Sequence, residues 1–354
     1  MRSSKRFATG LVLAWCALPS AHISGPSAAV VHKKKYIMGT VFEIVAYDPF
    51  PARAAGAIDQ AFDEIVRLDE VMSNYRVDSD LSRLNRSAHF HPQVVPHDLY
   101  RVIAESLIYS RLSAGRFDIT VGPLVDLWKA VLRGDRAPSP AEQEKLRHCV
   151  GYEKIEMLPP NRIEFHSACM RIDLGSIGKG YAVDRVAEIL RASGVTSALI
   201  DAGGSTLYGM GSPPGQAAWL VHLRDPSNRI DPQVSLRENS VSTSEQTPPS
   251  LLGNDAAGHI IDPYGGLPLQ TPFAVSAIAR TGTASDALST TLLLVGPATG
   301  KLLVKTMADT SAIWISPAGQ VETTSGGPRI VMGHSMSDRV TETPRGMAPS
   351  RADR

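Results

Sequence analysis

The sequence predicts an α+β fold in which mixed or antiparallel sheets pack against helices. Three observations lead to this prediction. Short runs rich in β-branched and aromatic residues alternate with segments of helical period, neighbouring strand candidates are close enough in sequence to pair locally, and the 354 residues contain no internal repeat or long linker. The formal net charge of +1 gives no reason to expect a nucleic-acid partner.

Residues 1–29 have the pattern of a secretory signal peptide rather than of a folded element. Basic residues precede an apolar run at 7–18, which is too short for a stable membrane span, and small residues follow up to a suitable cleavage site at Ala29. The bulky Trp15 directly before Cys16 argues against lipoprotein processing, so a lipid anchor is not expected. We therefore expect export to the bacterial periplasm or cell envelope.

The first part of the mature chain is predicted to alternate strands with helices. A strand at 36–47 contains Met38-Gly39-Thr40, and a glycine inside a strand often marks a bulge or a close ligand contact. Apolar residues at helical spacing predict helices at 54–72 and 98–112. The run 115–125 is predicted as a short strand that ends at Gly-Pro.

A helix and a hairpin are predicted next. Ser139-Pro140-Ala141-Glu142 has the pattern of a capping box and predicts a helix to about residue 148, and strands at 154–158 and 162–166 are predicted to pair. Cys149 and Cys169 are the cysteines that remain without the leader. An oxidising compartment permits a disulfide between them, but the expectation is two buried free thiols.

Residues 171–184 form the motif around which the chain is organised. A short apolar strand that carries Asp173 leads into three closely spaced glycines with Lys179 among them, then into a helix and a second strand at 197–204. Free N–H groups at a helix N-terminus bind anions, and a lysine adds charge there. The motif therefore predicts a phosphate or pyrophosphate site; a simple strand-to-helix turn is the alternative.

A helix at 283–294, with Ser285 as a candidate cap, carries a second group of polar residues. Asp286, Ser289 and Thr290 are spaced i, i+3 and i+4 and share one face of this helix. One carboxylate with hydroxyl and carbonyl oxygens suits magnesium, which keeps waters and substrate phosphates as ligands. The alternative is a helix-capping cluster without a metal.

Other C-terminal features carry less chemistry. His259 near Asp262 is a candidate general base, with a structural role at a strand end as the alternative. Strands are predicted at 273–278 and 312–315, and the segment 335–354 has few apolar residues, so a disordered tail is expected. No serine-hydrolase signature is present.

Five motifs, in this order along the chain, resemble those of the FAD:protein FMN transferases, the ApbE family. The resemblance covers roughly residues 35–314 within a predicted catalytic domain at 33–320. The motifs are Met-Gly-Thr at 38–40, Gly-x-Phe-Asp-Ile-Thr-Val-Gly-Pro-Leu-Val at 115–125, Ile-Asp-Leu-Gly-x-Ile-x-Lys-Gly-Tyr-Ala-Val-Asp at 172–184, His-Ile-Ile-Asp-Pro at 259–263 and Ser-Asp-Ala-Leu-Ser-Thr at 285–290.

The resemblance implies an α+β enzyme of the bacterial envelope that uses Mg²⁺ to transfer the FMN half of FAD to a threonine of an acceptor protein, releasing AMP. The acceptor would be an envelope electron-transfer protein. The residues implied to hold FAD are Met38, Tyr75, Arg116, Phe117, Asp118, Asp173, Lys179, His259 and Ile260. Those implied to hold the metal are Ser176, through its carbonyl oxygen, Asp286, Ser289 and Thr290. His259 is the first candidate for the base that deprotonates the threonine, and Asp286 is the second.

The sequence departs from the family pattern at two places. Ser242-Thr-Ser-Glu-Gln246 stands where the family often has Ser-Thr-Ser-Gly, and Tyr264-Gly265-Gly266 replaces Arg/Lys-Thr-Gly. Both lie near the expected flavin pocket and leave the choice of acceptor open. Two other functions remain as alternatives. One is an FAD pyrophosphatase in which water yields FMN and AMP, and the other is a non-catalytic FAD-binding or carrier protein.

Overall fold

The computed structural model describes residues 28–134, 137–246, 260–325 and 330–333. The expected tail at 335–354, the candidate base His259 and all but the last two residues of the predicted signal peptide lie outside these ranges. The first strand begins at Ala29, a few residues before the predicted start of the catalytic domain.

Helices are interspersed among the strands, as expected, and most of the strands follow α6. The helices are α1 (Pro51–Met72), α2 (Asp80–Ser87), α3 (His97–Leu112), α4 (Gly122–Leu132), α5 (Pro140–Arg147), α6 (Gly178–Ala192) and α7 (Gly282–Lys305), with a short 3₁₀ helix at Tyr152–Lys154. The strands are β1 (Ala29–Ile37), β2 (Thr40–Asp48), β3 (Gln93–Val94), β4 (Ile155–Leu158), β5 (Arg162–Phe165), β6 (Ser197–Ala202), β7 (Thr206–Met210), β8 (Trp219–His222), β9 (Asp231–Leu236), β10 (Asn239–Glu245), β11 (Ile261–Asp262), β12 (Leu267–Pro268), β13 (Ala274–Ala279), β14 (Ser311–Ile315), β15 (Val321–Thr323) and β16 (Ile330–Gly333).

An eight-stranded antiparallel sheet forms the centre, in the order β1-β2-β6-β7-β10-β13-β14-β15. Smaller sheets have the orders β16-β9-β8, β3-β5-β4 and β11-β12. The predicted α+β class is therefore confirmed. Three pairs of neighbours in the large sheet, β1-β2, β6-β7 and β14-β15, are joined by short connections, whereas β2 and β6 come from distant parts of the sequence.

The large sheet is covered on both faces. Phe42 and Ile44 of β2 face the helical side, where α1 and α6 pack, whereas Val45 and Tyr47 face the small sheet of β8 and β9. This alternation follows from the two-residue period of a strand. The apolar helix α7 packs on β10 and β13 on the helical side, so the sheet positions α6 and α7 next to each other.

The two helices meet at their N-terminal ends through glycine. A Cβ atom on Gly180 would lie 2.2 Å from the Gly282 carbonyl oxygen and 2.7 Å from the Asp286 Cβ, and one on Gly282 would lie 2.6 Å from the Gly180 carbonyl oxygen. Such distances leave no room for a side chain. The backbones of α6 and α7 are therefore in direct contact, and this contact brings two of the five motifs together.

Two short predicted strands are not formed. The run 115–125 contributes only one isolated bridge, from Val121 to Arg171, and α4 begins at Gly122 with Pro123 in its first turn. Proline at this position favours a helix start because its missing N–H needs no partner there. The same bridge is all that forms of the strand expected before the glycine motif, because the residues that follow Val121 are helical.

Met38-Gly39 is a hairpin turn and not an interior part of one long strand. Ile37 pairs with Thr40, and both turn residues have positive φ, 52° at Met38 and 75° at Gly39. Glycine adopts this conformation without steric cost. The predicted single strand is therefore two strands, and Met38 lies at the tip between them.

Cys149 and Cys169 form a disulfide, so the expectation of two free thiols is wrong. The predicted hairpin of β4 and β5 explains their proximity, because Ile155 pairs with Phe165 and the flanking segments emerge at the same end. The bond ties the end of α5 to the segment that leads into the glycine motif.

Replacing both cysteines by serine should lower the free energy of unfolding by about 3 kcal/mol, because the closed loop restricts the unfolded chain over a sequence separation of 20 residues. Urea denaturation with and without dithiothreitol measures this loss. The reductant should destabilise the natural chain and leave the double variant unchanged. Titratable thiols at both Cys149 and Cys169 in the unreduced natural chain would contradict the assignment.

Gly180→Ala should destabilise the protein by at least about 1–3 kcal/mol, because the atoms it meets belong to the backbone and Cβ of α7 and cannot rotate away. Gly56→Ala is the matched control. Gly56 is exposed in α1, and a Cβ atom added there would meet no other atom within 4 Å, so alanine should stabilise that helix by about 0.5–1 kcal/mol. Equal stability of the two variants in thermal denaturation would show that the helices can separate freely.

Candidate functional site

A cavity of about 980 Å³ opens where the N-terminal ends of α6 and α7 meet. Its volume is at the upper end of the range of about 300–1,000 Å³ that is usual for small-molecule sites. The hairpin turn at Met38, the glycine motif, the end of β10 and the first half of α7 all contribute to its wall.

The glycine motif forms one wall as a tight turn into α6. Asp173 Oδ1 accepts a hydrogen bond from the Gly175 N–H at 2.7 Å, and Lys179 Nζ donates to the Gly175 carbonyl oxygen at 3.3 Å. Asp173 thus fixes the turn, while Lys179 places a cation at its exposed side. The Gly178 N–H donates to the Leu174 carbonyl oxygen at 2.8 Å, and the N-terminal end of α6 bears partial positive charge, so together with Lys179 this wall suits a phosphate group.

Asp286 connects this wall to α7. The Gly180 N–H donates to Asp286 Oδ2 at 2.9 Å, and the carboxyl group is almost completely buried, with 3% of the residue exposed. Gly180 lies in the first turn of α6, where an N–H group has no intrahelical acceptor. Asp286 supplies that acceptor, and Ser176, just before the helix, lines the cavity beside it.

A row of serines on β10 runs along α7. Ser242 Oγ donates to Asp286 Oδ1 at 3.3 Å, and Ser244 Oγ lies 2.8 Å from Ser289 Oγ and 3.0 Å from Thr290 Oγ1. Alternate residues of a strand face the same side, so every second residue meets the helix. The result is a hydroxyl-lined seam behind the cavity wall.

The oxygen atoms at this seam suit a magnesium ion. The described ranges contain no group of three or more His, Cys, Asp or Glu side chains that could hold a metal, so a carboxylate-rich site is absent from them. Magnesium needs few protein carboxylates, because it keeps several waters and binds substrate phosphates. Asp286, Thr290 and Ser176 line one cavity and could supply such a sparse oxygen set.

The Asp118 carboxylate is held by hydrogen bonds from Thr120 and Tyr152. Oδ1 accepts hydrogen bonds from the Thr120 N–H and hydroxyl at 2.8 and 2.6 Å, and Oδ2 accepts from the Tyr152 N–H at 2.9 Å. Burial raises the pKa of this carboxyl group, and these hydrogen bonds oppose the shift. Asp118 lines the cavity, and its contacts also anchor the segment next to the Cys149–Cys169 disulfide.

Cations and aromatic rings form the outer wall. The Arg116 guanidinium lies 4.4 Å from the ring centroid of Tyr264 and bonds Asp262 Oδ1 at 3.1 Å. Lys129 Nζ lies 5.0 Å from the centroid of the exposed Tyr75 ring and donates to its hydroxyl at 3.1 Å. Tyr264 belongs to the segment that departs from the family pattern, and here it supports Arg116.

Most of the predicted site residues meet in this cavity. Those that line it are Met38, Tyr75, Arg116, Phe117, Asp118, Asp173, Lys179, Ile260, Ser176, Asp286 and Thr290. Ser289 is fully buried behind the wall and its hydroxyl also bonds the Asp286 carbonyl oxygen at 2.9 Å. His259 is outside the described residues. The roles assigned to these residues stay predictions.

Several residues at the site had no assigned role in the sequence. Arg224 and Glu245 line the cavity, and Arg224 Nε lies 2.6 Å from Glu245 Oε2. That oxygen is buried and makes no well-aligned hydrogen bond, so we treat the contact as an ion pair rather than a hydrogen bond. Ser242 and Ser244 could have been found from the period-two spacing of serines at 240, 242 and 244, which marks one face of a strand.

Comparison with known proteins agrees with this architecture. A family model described as the ApbE family matches residues 38–314. The FAD:protein FMN transferase of Treponema pallidum is 29% identical over 316 residues, covering 83% of this chain and 86% of that protein. The protein of the same name from Vibrio cholerae is 28% identical over 303 residues, covering 82% and 86%.

Solved structures give the same result. The apo form of the flavinyl transferase ApbE from Pseudomonas stutzeri matches with a TM-score of 0.72 and 28% identity, over 85% of this chain and 95% of that one. A mutant of the flavin transferase ApbE from Vibrio cholerae matches with a TM-score of 0.76 and 25% identity, over 84% and 98%. The resemblance seen in the five motifs is confirmed, and since the family model spans well over half of the sequence, this chain belongs to the ApbE family.

Proposed function

We propose that this chain is an FAD:protein FMN transferase, which moves the FMN half of FAD onto a threonine hydroxyl of an acceptor protein and releases AMP. One observation carries the proposal. A single cavity is lined both by the glycine turn with Lys179 and by Asp286 and Thr290 of α7, so anion-binding and cation-binding groups face the same space. Relatives with this name align over most of the chain.

In the proposed reaction the threonine oxygen forms a bond to the phosphorus of the FMN phosphate. The bond from that phosphorus to the AMP phosphate oxygen breaks, and AMP leaves with the electron pair. The threonine proton passes to a base, for which His259 is the first candidate and Asp286 the second. The positive end of the α6 dipole and the Lys179 ammonium group stabilise negative charge on the diphosphate.

We propose Mg²⁺ as the metal of this site. It would be held by Asp286, Thr290 and the Ser176 carbonyl oxygen, with Ser289 supporting Thr290 through Ser244. When bound, it neutralises charge on phosphoryl oxygens. The chain's own contribution is positional, because the Gly180 N–H and the Ser242 hydroxyl orient the Asp286 carboxylate before any ion arrives.

We also propose that the reaction takes place in the bacterial periplasm or cell envelope, and that the acceptor is an electron-transfer protein of that compartment. The leader-like residues 1–29 support the location. The disulfide between Cys149 and Cys169 is consistent with an oxidising compartment.

The transfer can be tested with the purified chain, FAD, Mg²⁺ and candidate acceptor domains from envelope electron-transfer proteins. We expect flavin fluorescence on the denatured acceptor band, a threonine that carries FMN in the mass spectrum, and one AMP per modified acceptor. Adding EDTA should stop all three signals. An acceptor in which the modified threonine is replaced by valine is the matched control and should stay unlabelled.

Other outcomes would identify the alternatives. Free FMN and AMP with an unlabelled acceptor would indicate an FAD pyrophosphatase. Tight FAD binding at one equivalent without AMP release, under any divalent metal, would indicate a non-catalytic FAD-binding or carrier protein.

Asp286→Asn should reduce AMP release by about a hundredfold or more, because the charge that holds the metal is lost. The amide oxygen can still accept the Gly180 N–H, so the fold should persist. Asp59→Asn is the control, since Asp59 is an exposed acid on α1 that pairs with Lys33 outside this cavity. Unchanged AMP release by Asp286→Asn, at limiting Mg²⁺, would exclude this residue as a metal ligand.

A further inference from the structure

Asp184 makes a compact set of contacts that the proposed reaction does not use. It lies on α6, and its two carboxylate oxygens reach the first residues of α7. Oδ1 accepts from the Gly282 N–H at 2.6 Å, and Oδ2 accepts from the Thr283 N–H at 2.8 Å and from the Thr283 hydroxyl at 2.6 Å. Asp184 does not line the cavity, so it contacts neither substrate nor metal there.

These contacts satisfy donors that α7 cannot satisfy itself. The first N–H groups of a helix have no intrahelical acceptor. Thr281 caps the helix by accepting from the Ala284 N–H at 3.1 Å, and Asp184 accepts from the two preceding residues. The cap of α7 is therefore shared between its own chain segment and a carboxylate from α6.

The hydrogen bonds of Asp184 and Asp286 join α6 to α7 next to the backbone contact of Gly180 and Gly282, and we call this arrangement the clamp. Asp184 holds α7 from one side of the Gly180–Gly282 backbone contact, and the Gly180 N–H holds Asp286 from the other. Asp286 and Thr290 follow Thr283 by three and seven residues, which is about one and two helical turns. Their oxygen atoms therefore move with the first turn of α7.

We infer that Asp184 is a positioning residue for the cation site, which sets the distance from Asp286 and Thr290 to the glycine turn. This inference rests on the proposed function. Magnesium requires near-ideal octahedral geometry, so a small displacement of α7 should weaken its binding strongly. FAD contacts are spread over several elements of the cavity wall, so its affinity should depend less on this clamp.

The test is Asp184→Asn in the full chain. The amide NH2 replaces one of the two accepting oxygens and so meets the N–H of either Gly282 or Thr283 as a second donor. Part of the clamp is lost while the side-chain volume is kept. Calorimetric titration of Mg²⁺ into the FAD-saturated chain, without acceptor, should show affinity lowered by about tenfold or more, as for residues that orient metal ligands. FAD affinity in EDTA, measured by flavin fluorescence, should change little.

Asp48→Asn is the matched control. Asp48 is a buried acid that accepts from the Phe50 N–H at 2.7 Å and pairs with Arg53, and so fixes the start of α1 away from the cavity. It should lower the thermal unfolding midpoint and leave Mg²⁺ affinity unchanged. Thr283→Val removes only the hydroxyl bond to Asp184, so it should fold even where Asp184→Asn does not. It should weaken Mg²⁺ binding by a smaller factor.

The outcomes separate this inference from the proposed function. Natural Mg²⁺ affinity in Asp184→Asn or, where that variant does not fold, in Thr283→Val would overturn the positioning role, while metal-dependent transfer by the natural chain would stand. If Asp48→Asn weakened Mg²⁺ binding equally, the effect of Asp184→Asn would be one of general stability, and the positioning role would also be overturned. A natural chain that transfers FMN in EDTA and binds no Mg²⁺ would overturn both the metal assignment and the role of Asp184.

Discussion

The backbone contact between α6 and α7 is the constraint on which the site depends. Two helix N-termini meet there, and each carries partial positive charge, so their approach is electrostatically unfavourable. Asp184 and Asp286 lie across this junction, and each accepts an N–H from the opposite helix. The carboxylates offset the repulsion and leave the cavity side of the junction free to receive an anionic ligand.

Glycine at positions 180 and 282 is required by the same constraint. A Cβ on either residue would overlap backbone atoms of the opposite helix. The glycines of the 171–184 motif therefore serve two purposes. Gly175 takes part in the turn that Asp173 fixes, whereas Gly180 allows α7 to come close enough for its acid to reach the turn.

The parts of the fold that could be predicted from the sequence are those set by local patterns. The period of apolar residues located α1 and α3, the capping box at Ser139 is formed with Glu142, and the hairpin of β4 and β5 pairs as expected. The family resemblance also named residues that line one cavity. Their roles in holding FAD and a metal stay predictions.

What was missed depends on contacts between distant segments. The run 115–125 has strand-like composition, yet it forms no ladder beyond the bridge at Val121, and Pro123 favours the helix that follows. The disulfide requires knowing that the flanks of a hairpin meet. Asp184 looks like one acid on a helix surface, and only the position of α7 shows that it caps another helix.

The seam of hydroxyls between β10 and α7 has a property that a seam of amides or carboxylates would lack. A hydroxyl group both donates and accepts, and its hydrogen rotates freely. The Ser244 hydroxyl can therefore donate either to Ser289 or to Thr290 without displacing any heavy atom. A cation that binds at Thr290 would meet an oxygen lone pair, because the hydroxyl hydrogen can rotate away from it. The hydrogen-bond polarity of the cavity lining can thus change while its heavy atoms stay in place.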